Sequence, residues 1–445
     1  MKIAVIGLGK IGLPLAAQYA SRGHEVVGVD VNVALVKVVN SGHEPFPGEA
    51  HLEEYLRELT ADGRLRATTD YAEAVPDADA VVVAVPLFVD AESRPDYSIM
   101  DSAAASIGSH LTSGTIVSFE TTLPVGTTRD RLVPILQDRS RLQQGTDFHV
   151  VFSPERVLTG RVFADLRRYP KLVGGLSAAG AAAAVAFYEG VLEFDDRPDL
   201  DRPNGVWDLG STEAAELAKL AETTYRDVNI ALANQFAKFA DSAGIDVHKV
   251  IEASNSQPFS HIHQPGISVG GHCIPVYPRL YLANDPSADL VRTARATNAG
   301  MPQYSVDQLI LHLGSLEGAT VAVFGAAYRG GVKETAFSGV FDVVKALSSA
   351  GAIPVVHDPL YSGRELRDLG LEPHEMGTPI DAAIVHTDHD EYRSLCERDL
   401  GGARVVLDGR RLLPAQVGVK VVVLGEGRGC DPEAPLPISA FQGEE

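Results

Sequence analysis

The sequence predicts an α/β protein made of two doubly wound, Rossmann-like parallel-sheet domains joined by a helical middle with one long helix. Three observations carry that expectation. The short run Lys2–Ile6 meets a glycine cluster and then a stretch of helical character. A second run, Thr320–Phe324, meets Gly325 and restarts the same pattern. Between them, Ser211 to Ala243 contains neither Gly nor Pro.

Lys2–Ile6 reads as a strand buried on both faces, because it is continuously apolar rather than alternating. Leu13–Arg22 follows as a helix, with Pro14 suited to its first turn. Val26–Val29, Ala80–Val85, Ile116–Phe119 and Phe148–Phe152 extend the set of buried strands. Arg197–Gly210 is rich in Asp and Pro and marks a boundary. Ser211 is the expected N-cap of the long helix and Gly244 its end, which gives a length of about 45–50 Å, enough to span domains and support a dimer. After Pro302 the βα pattern resumes, and Ile353–Val356 ends at His357-Asp358 much as Val26–Val29 ends at Asp30. The expected domains are 1–205, 206–301 and 302–445, with a loosely held tail after Gly425.

Composition narrows the function. The 445 residues are 45% hydrophobic and 22% charged, an ordinary globular balance, and the formal net charge is -21. That field repels nucleic acid and anionic membrane surfaces, so neither is an expected partner. Small phosphate ligands remain compatible, since helix N-termini and single Arg or Lys side chains hold them locally. Three dispersed cysteines fit a reducing compartment, and no apolar run reaches the length of a membrane span. A cytoplasmic location is expected. Neither His272-Cys273 nor Cys396 and Cys430 has zinc spacing, so no metal is expected.

Gly7-Leu8-Gly9-Lys10-Ile11-Gly12 follows a predicted strand and opens a helix, with Asp30 about 20 residues on. Gly7 permits the tight turn, Gly9 the approach of a pyrophosphate, and Gly12 close packing, while Asp30 can accept hydrogen bonds from a ribose diol. Asp30 would repel a 2'-phosphate, so NAD is favoured over NADP; from this element alone FAD remains open. Far downstream, Val269-Gly270-Gly271-His272-Cys273-Ile274-Pro275 holds the cysteine of most interest. A thiolate adds to an aldehyde, and the resulting thiohemiacetal carries a hydride that a nicotinamide accepts. The plain alternative is a small buried hydrophobe beside a glycine turn.

Taken with Glu120-Thr121-Thr122-Leu123-Pro124-Val125-Gly126-Thr127-Thr128, Ser153-Pro154-Glu155-Arg156 and Ala218-Lys219-Leu220-Ala221-Glu222, these segments resemble the UDP-glucose and UDP-N-acetylhexosamine 6-dehydrogenase family over nearly the whole chain. The glycine-histidine-cysteine segment is most similar to the branch acting on N-acetylated UDP-sugars. The resemblance implies oxidation of a C6 alcohol to a uronic acid with two NAD, of the kind used in polysaccharide biosynthesis. It also implies an NAD domain, a UDP-sugar domain and a homodimer formed through the long helix. Cys273 matches the nucleophile, Glu155 a carboxylate that helps activate hydrolytic water, Thr122 a residue near water and nicotinamide, and Lys219 the ammonium facing the developing alkoxide. Lys10 and Ile11 fall at cofactor positions. Arg156, Thr223, Phe259, Gly271 and Arg329 join Glu155 and Lys219 at substrate positions, with Thr223 also counted among the catalytic group.

The departures from the family pattern lie near the chemistry. Thr223 stands where asparagine is usual, one helical turn after Lys219, and its hydroxyl is shorter than a carboxamide. Tyr277 replaces an aspartate, so thioester hydrolysis is the step most affected. Arg329 stands at a lysine position and keeps the charge, whereas Ala336 removes an arginine that would contact NAD. Two alternatives therefore stand beside the four-electron reaction on a UDP-N-acetylhexosamine: UDP-glucose as substrate, and a two-electron dehydrogenase that stops short of the acid. A nucleotide-sugar sensor without turnover is a third, against which Cys273, Lys219 and Glu155 argue. His261 and His263 fall in the loop before Cys273 and are read as ordinary loop histidines.

Overall fold

The computed structural model describes residues 1–46, 48–90, 93–414 and 417–427; Cys430 and most of the tail after Gly425 lie outside the described residues. Strands β1 (Lys2–Ile6), β2 (Glu25–Val29), β3 (Leu65–Thr68) and β4 (Ala80–Val83) open the chain. A small antiparallel pair, β5 (Phe88–Val89) with β6 (Pro95–Asp96), stands apart from them. Then come β7 (Ile116–Phe119), β8 (His149–Phe152), β9 (Lys171–Gly175) and β10 (Val206–Asp208). The first sheet has the order β10-β9-β8-β7-β4-β1-β2-β3. The second is built from β11 (Thr320–Phe324), β12 (Ile353–His357), β13 (Ala382–Val385), β14 (Val405–Asp408) and β15 (Lys420–Val423), in the order β12-β11-β13-β14-β15.

Both sheets are doubly wound. From β1 the chain adds β2 and β3 on one side and then returns to place β4 on the other; β11, β12 and β13 repeat the move. Such reversals leave a crevice at the carboxyl ends of the two strands concerned, where open α/β sheets bind ligands. The register brings Ile6 opposite both Val29 and Val83, so the turn at Gly7 sits at that crevice. Ile3–Ile6 are at most 1% exposed, and burying each such side chain contributes about 1.5–3 kcal/mol, which is why these runs read as continuously apolar. One pair departs from the expected parallel arrangement: β8 and β9 run antiparallel. Strand β10 lies in the Asp- and Pro-rich segment expected as a boundary and instead forms an edge of the first sheet, pairing with β9.

The long helix runs over Thr212–Ala243, 32 residues. Its first turn is capped as expected, the Ser211 hydroxyl accepting the Ala214 N–H at 3.1 Å, and Gly244 follows its last residue. The chain forms two compact units, Met1–Glu222 with Arg279–Asn284, and Thr223–Pro278 with the chain from Asp285 onward. The first holds the eight-stranded sheet and the second the five-stranded sheet. Among the described residues no helix is long and apolar enough to cross a membrane.

Candidate active site

In the first unit the glycine turn does what its sequence requires. Gly7 has φ +90°, and a Cβ there would press on the Ala84 and Val85 backbone at 3.1 Å. A Cβ at Gly12 would meet the Gly7 carbonyl oxygen at 1.8 Å, whereas one at Gly9 would meet nothing within 4 Å. The turn is thus closed on its protein side and open where a pyrophosphate would lie. Lys10 and Ile11 complete it, and the helix Gly12–Ser21 begins without a side-chain cap, leaving first-turn amides of the kind that hold an anion. Asp30 is fixed beside the turn, its Oδ2 accepting the Leu8 N–H and its Oδ1 the Asn32 N–H, each at 2.9 Å. The residues present therefore fit a dinucleotide carrying a free ribose diol.

The corresponding place on the second sheet does not fit one. Asp358, the counterpart of Asp30, is buried and turned inward, accepting the Ala326 and Ala327 N–H groups at 2.8 and 2.9 Å and lying 3.1 Å from His389 Nε2. Ala326 and Ala327 follow Gly325 and are fully buried, in contrast to the open space a Cβ would find at Gly9.

Beyond β7 and β8 the first unit gathers the acid-base residues. Thr122 is buried in the loop after β7. That loop is tied to the start of the long helix by Glu216, which accepts the Gly126 N–H at 2.6 Å and the Thr128 N–H and hydroxyl at 2.9 and 2.7 Å; burial, opposed by these donors, pushes Glu216 up to about 7. Glu155 follows β8. Its Oε1 accepts the Arg156 N–H at 2.6 Å, and its Oε2 accepts from Lys171 Nζ at 2.8 Å. Burial works to raise the Glu155 carboxyl, but the Lys171 charge, the Arg156 amide and the more distant Lys219 charge hold it below the ordinary glutamate value. The Arg156 guanidinium turns to Glu222 at 3.0 Å and to the Pro170 carbonyl. Lys219 is buried on the long helix.

In the second unit Cys273 is exposed, yet the chain around it is held from several directions. The Gly271 N–H donates to the Ala336 carbonyl at 2.9 Å, and Tyr328 packs where side chains on Gly270 and Gly271 would be, at 2.6 and 3.0 Å from their ideal Cβ positions. The His272 ring lies 3.5 Å from Glu334. The Cys273 carbonyl accepts the Val276 and Tyr277 N–H groups and so opens the helix Tyr277–Asn284. From the long helix, Asn229 bonds the His261 carbonyl and the His263 N–H, and Asn234 accepts the Gly266 N–H at 2.9 Å. Asp227, fully buried, grips Arg295 at 2.6 Å, whose Nη1 donates to the Pro275 carbonyl at 3.4 Å. Thr223 is buried on the same helix, while Phe259 is 91% exposed in the loop. Arg329 is exposed beside the Tyr328 hydroxyl.

A cavity of about 570 Å³ opens at the carboxyl ends of β14 and β15, lined among others by His248, Gln264, Asp388, Arg393, Asp408, Arg410 and Arg411. Arg410 reaches in from the turn after β14, its Nε donating to the His386 carbonyl at 2.7 Å. Asp388 also accepts the Gly330 N–H at 2.7 Å, linking the cavity to the loop of Arg329. Lys171, Asp227, Arg295, Glu216 and Arg410 were not marked by the sequence reading. For Arg410 a signal existed, an Asp-Gly-Arg turn directly after an apolar strand; the others depend on partners far along the chain.

His386 supplies a pH test of this region. Its Nδ1 lies 3.0 Å from the Gly325 carbonyl and its Nε2 3.1 Å from the Ser268 hydroxyl. Complete burial, with the Arg410 charge, pushes it from 6.5 down to about 3. Between those values the unfolded chain binds a proton that the folded one refuses. Stability from this group is therefore complete above pH 6.5 and falls as pH drops, by about 1.4 kcal/mol per unit. In urea titrations at pH 7 and pH 5, the His386→Gln protein should lose about 2 kcal/mol less than the parent; equal losses would refute the assignment.

Profiles of the UDP-glucose/GDP-mannose dehydrogenase family match the chain in three parts: the NAD binding domain at residues 1–192, the central domain at 213–300 and the UDP binding domain at 322–415. The chain is 34% identical over 437 residues to UDP-N-acetyl-D-mannosamine dehydrogenase of Pyrococcus horikoshii, covering 96% of this chain and 100% of that protein. It is also 34% identical to NDP-N-acetyl-D-galactosaminuronic acid dehydrogenase of Ralstonia nicotianae, covering 93% and 96%. The solved structure of the UDP-D-ManNAc dehydrogenase from P. horikoshii superposes with a TM-score of 0.86 at 32% identity, covering 96% of this chain and 99% of the other.

Proposed function

The chain belongs to the UDP-glucose/GDP-mannose dehydrogenase family, and on that premise we propose that this NAD-dependent nucleotide-sugar dehydrogenase oxidises the C6 alcohol of a UDP-N-acetylhexosamine to the uronic acid through a thiohemiacetal and a thioester on Cys273. The observation that carries this reading is the cysteine itself: the residue is exposed while backbone contacts on both sides hold its loop. A merely structural cysteine is ordinarily buried. The proposed domain roles are NAD binding for 1–205, the helical and cysteine-bearing middle for 206–301, and UDP-sugar binding for 302–445.

NAD, when bound at Gly7–Gly12 and Asp30, supplies a hydride acceptor for each of the two oxidations. The protein's own groups do the rest. Lys219 offsets negative charge on the sugar oxygen as its proton passes to water, a contribution typically worth ~3 kcal/mol for one well-placed donor. Cys273 adds to the C6 aldehyde and retains the carbon until the acid stage. Glu155, held anionic, takes a proton from the water that cleaves the thioester, with Thr122 orienting that water. Arg329 and the cavity at Arg410 supply positive charge for the diphosphate, in keeping with ligand binding at strand carboxyl ends. Arg156, Thr223, Phe259 and Gly271 complete the proposed substrate contacts.

The names of the P. horikoshii and R. nicotianae relatives support an N-acetylated sugar, and UDP-N-acetyl-D-mannosamine is the expected preferred substrate. A panel of that sugar, UDP-N-acetylglucosamine and UDP-glucose should release two NADH per sugar, with a product heavier by about 14 mass units, the alcohol-to-acid change. Thr223 and Tyr277 favour one second reading, a reaction that halts at the aldehyde; one NADH per sugar would establish it and reject the first.

The chain is also proposed to pair with a second copy through the long helix. Within the second unit Tyr225, Leu232, Phe236 and Phe239 are exposed along it, at spacings that place the last three on one stripe. An apolar stripe of this kind marks a protein contact. Leu232→Glu with Phe236→Glu should convert a dimer to a monomer in sedimentation; a parent that sediments as a monomer would contradict the pairing.

A further inference from the structure

The first unit contains a buried cluster of three charges, of which the steps above use Glu155 alone. Lys171 opens β9 with its side chain 4% exposed, and its Nζ bridges Glu120 Oε2 at 2.7 Å and Glu155 Oε2 at 2.8 Å. Glu120 directly follows β7 and is fixed further. Its Oε1 accepts the Tyr188 hydroxyl at 2.7 Å and the Tyr19 hydroxyl at 3.2 Å, and Tyr188 meets the Ser118 hydroxyl at 2.6 Å. The Tyr188 ring also lies 4.8 Å from Lys171 Nζ. Of the three ionic side chains, Glu155 reaches furthest toward solvent, at 10% exposed against 4% for Lys171 and 1% for Glu120.

Stability alone does not call for such a cluster. Taking three charges out of water costs several kcal/mol each, and an apolar replacement of similar volume is often no less stable. What the arrangement does supply is a rigid lysine that dictates the charge and direction of one carboxylate at its outer edge.

We propose that Lys171 is a positioning residue for thioester hydrolysis, holding the Glu155 carboxylate anionic and aimed, with Glu120 and its two tyrosines fixing the lysine. The inference rests on the reading of Glu155 as the group that activates water. The groups facing Glu155 set the signs. Lys171 from β9 and Lys219 from the long helix favour its anion, as does the Arg156 amide in its own loop. Glu120 opposes it, and Tyr19 and Tyr188 are neutral donors. Removing the lysine leaves two neighbouring buried carboxylates, which cannot both stay ionised. Removing the Glu120 charge leaves the lysine to Glu155 alone.

The test combines a titration with a rate. In protein labelled with 13C at glutamate Cδ, the Glu155 signal, assigned by its loss in Glu155→Gln, should titrate about one pH unit or more higher in Lys171→Met. In Glu120→Gln it should titrate lower, and Lys171→Arg should stay near the parent. The acidic limb of acid release from UDP-N-acetyl-D-mannosamine should move the same way in each variant. A lysine serving only the fold could not shift the two variants in opposite directions. If Lys171→Met does not fold, the Glu120→Gln shift still decides. A Glu155 titration unchanged in Glu120→Gln, or in a folded Lys171→Met, overturns the role of Lys171. A titration that moves while Glu155→Gln hydrolyses the thioester at the parent rate overturns the water-activating role of Glu155 instead.

Discussion

Replacing Cys273 with alanine should lower production of the uronic acid by at least about a thousandfold, the scale seen when a covalent nucleophile is lost. The size follows from the proposed route. An aldehyde without a sulfur bound to it has no tetrahedral adduct from which the second hydride leaves, except by chance hydration. The fold should survive. Cys273 is exposed, and the contacts described for its loop are made by backbone, its own carbonyl included, and by Tyr328. The melting temperature of Cys273→Ala should therefore match the parent, and UDP-sugar should still bind. A Cys273→Ala protein that forms acid at the parent rate would end the covalent reading.

The second large effect is expected at the glycine turn, where two substitutions three residues apart should separate folding from binding. In Gly12→Ala the new methyl meets the Gly7 carbonyl oxygen at 1.8 Å and the Ala84 side chain at 3.2 Å. The oxygen is backbone and cannot swing away, so the helix must retreat from β1 at a cost of about 1–3 kcal/mol or more. NAD affinity should fall with it by at least about tenfold, equivalent to 1.4 kcal/mol. In Gly9→Ala the methyl meets no protein atom within 4 Å. That variant should keep or slightly raise the melting temperature, yet bind NAD at least about tenfold more weakly, because the space it fills is the cofactor's. Calorimetric NAD titrations beside thermal melts decide the matter. Parent-like NAD binding by Gly9→Ala would show that the pyrophosphate lies elsewhere.

What could be read in advance follows from how local each signal is. β1, β7 and β11 have the bounds expected of them, and the long helix begins at Thr212 and ends at Ala243, because apolar runs and the absence of Gly and Pro are properties of a few adjacent residues. The fingerprint was legible for the same reason, since Gly7, Gly9, Gly12 and Asp30 answer to one turn. β10 escaped notice because three residues in a polar segment carry almost no pattern. The antiparallel β9 was hidden by a lysine at one end and two glycines at the other. Lys171 is the instructive miss. It looks like a strand-end surface charge, and only the fold brings it to Glu120, 51 residues away, and Glu155, 16 away. Asp227 and Arg295, 68 residues apart, were hidden in the same way. The role of Cys273 is a proposal that rests on resemblance, whereas the clamps around its loop required the structure.

The proposed chemistry requires a covalent bond between sugar and sulfur. The direct measurement is to mix the Glu155→Gln protein with NAD and UDP-N-acetyl-D-mannosamine, quench in acid within the first turnover, digest, and weigh the peptide that contains Cys273. That peptide should carry the sugar nucleotide as an acyl group, in an amount approaching one per active site, and hydroxylamine should release it. Quenched samples in which NADH has formed while the Cys273 peptide keeps its unmodified mass would contradict the account.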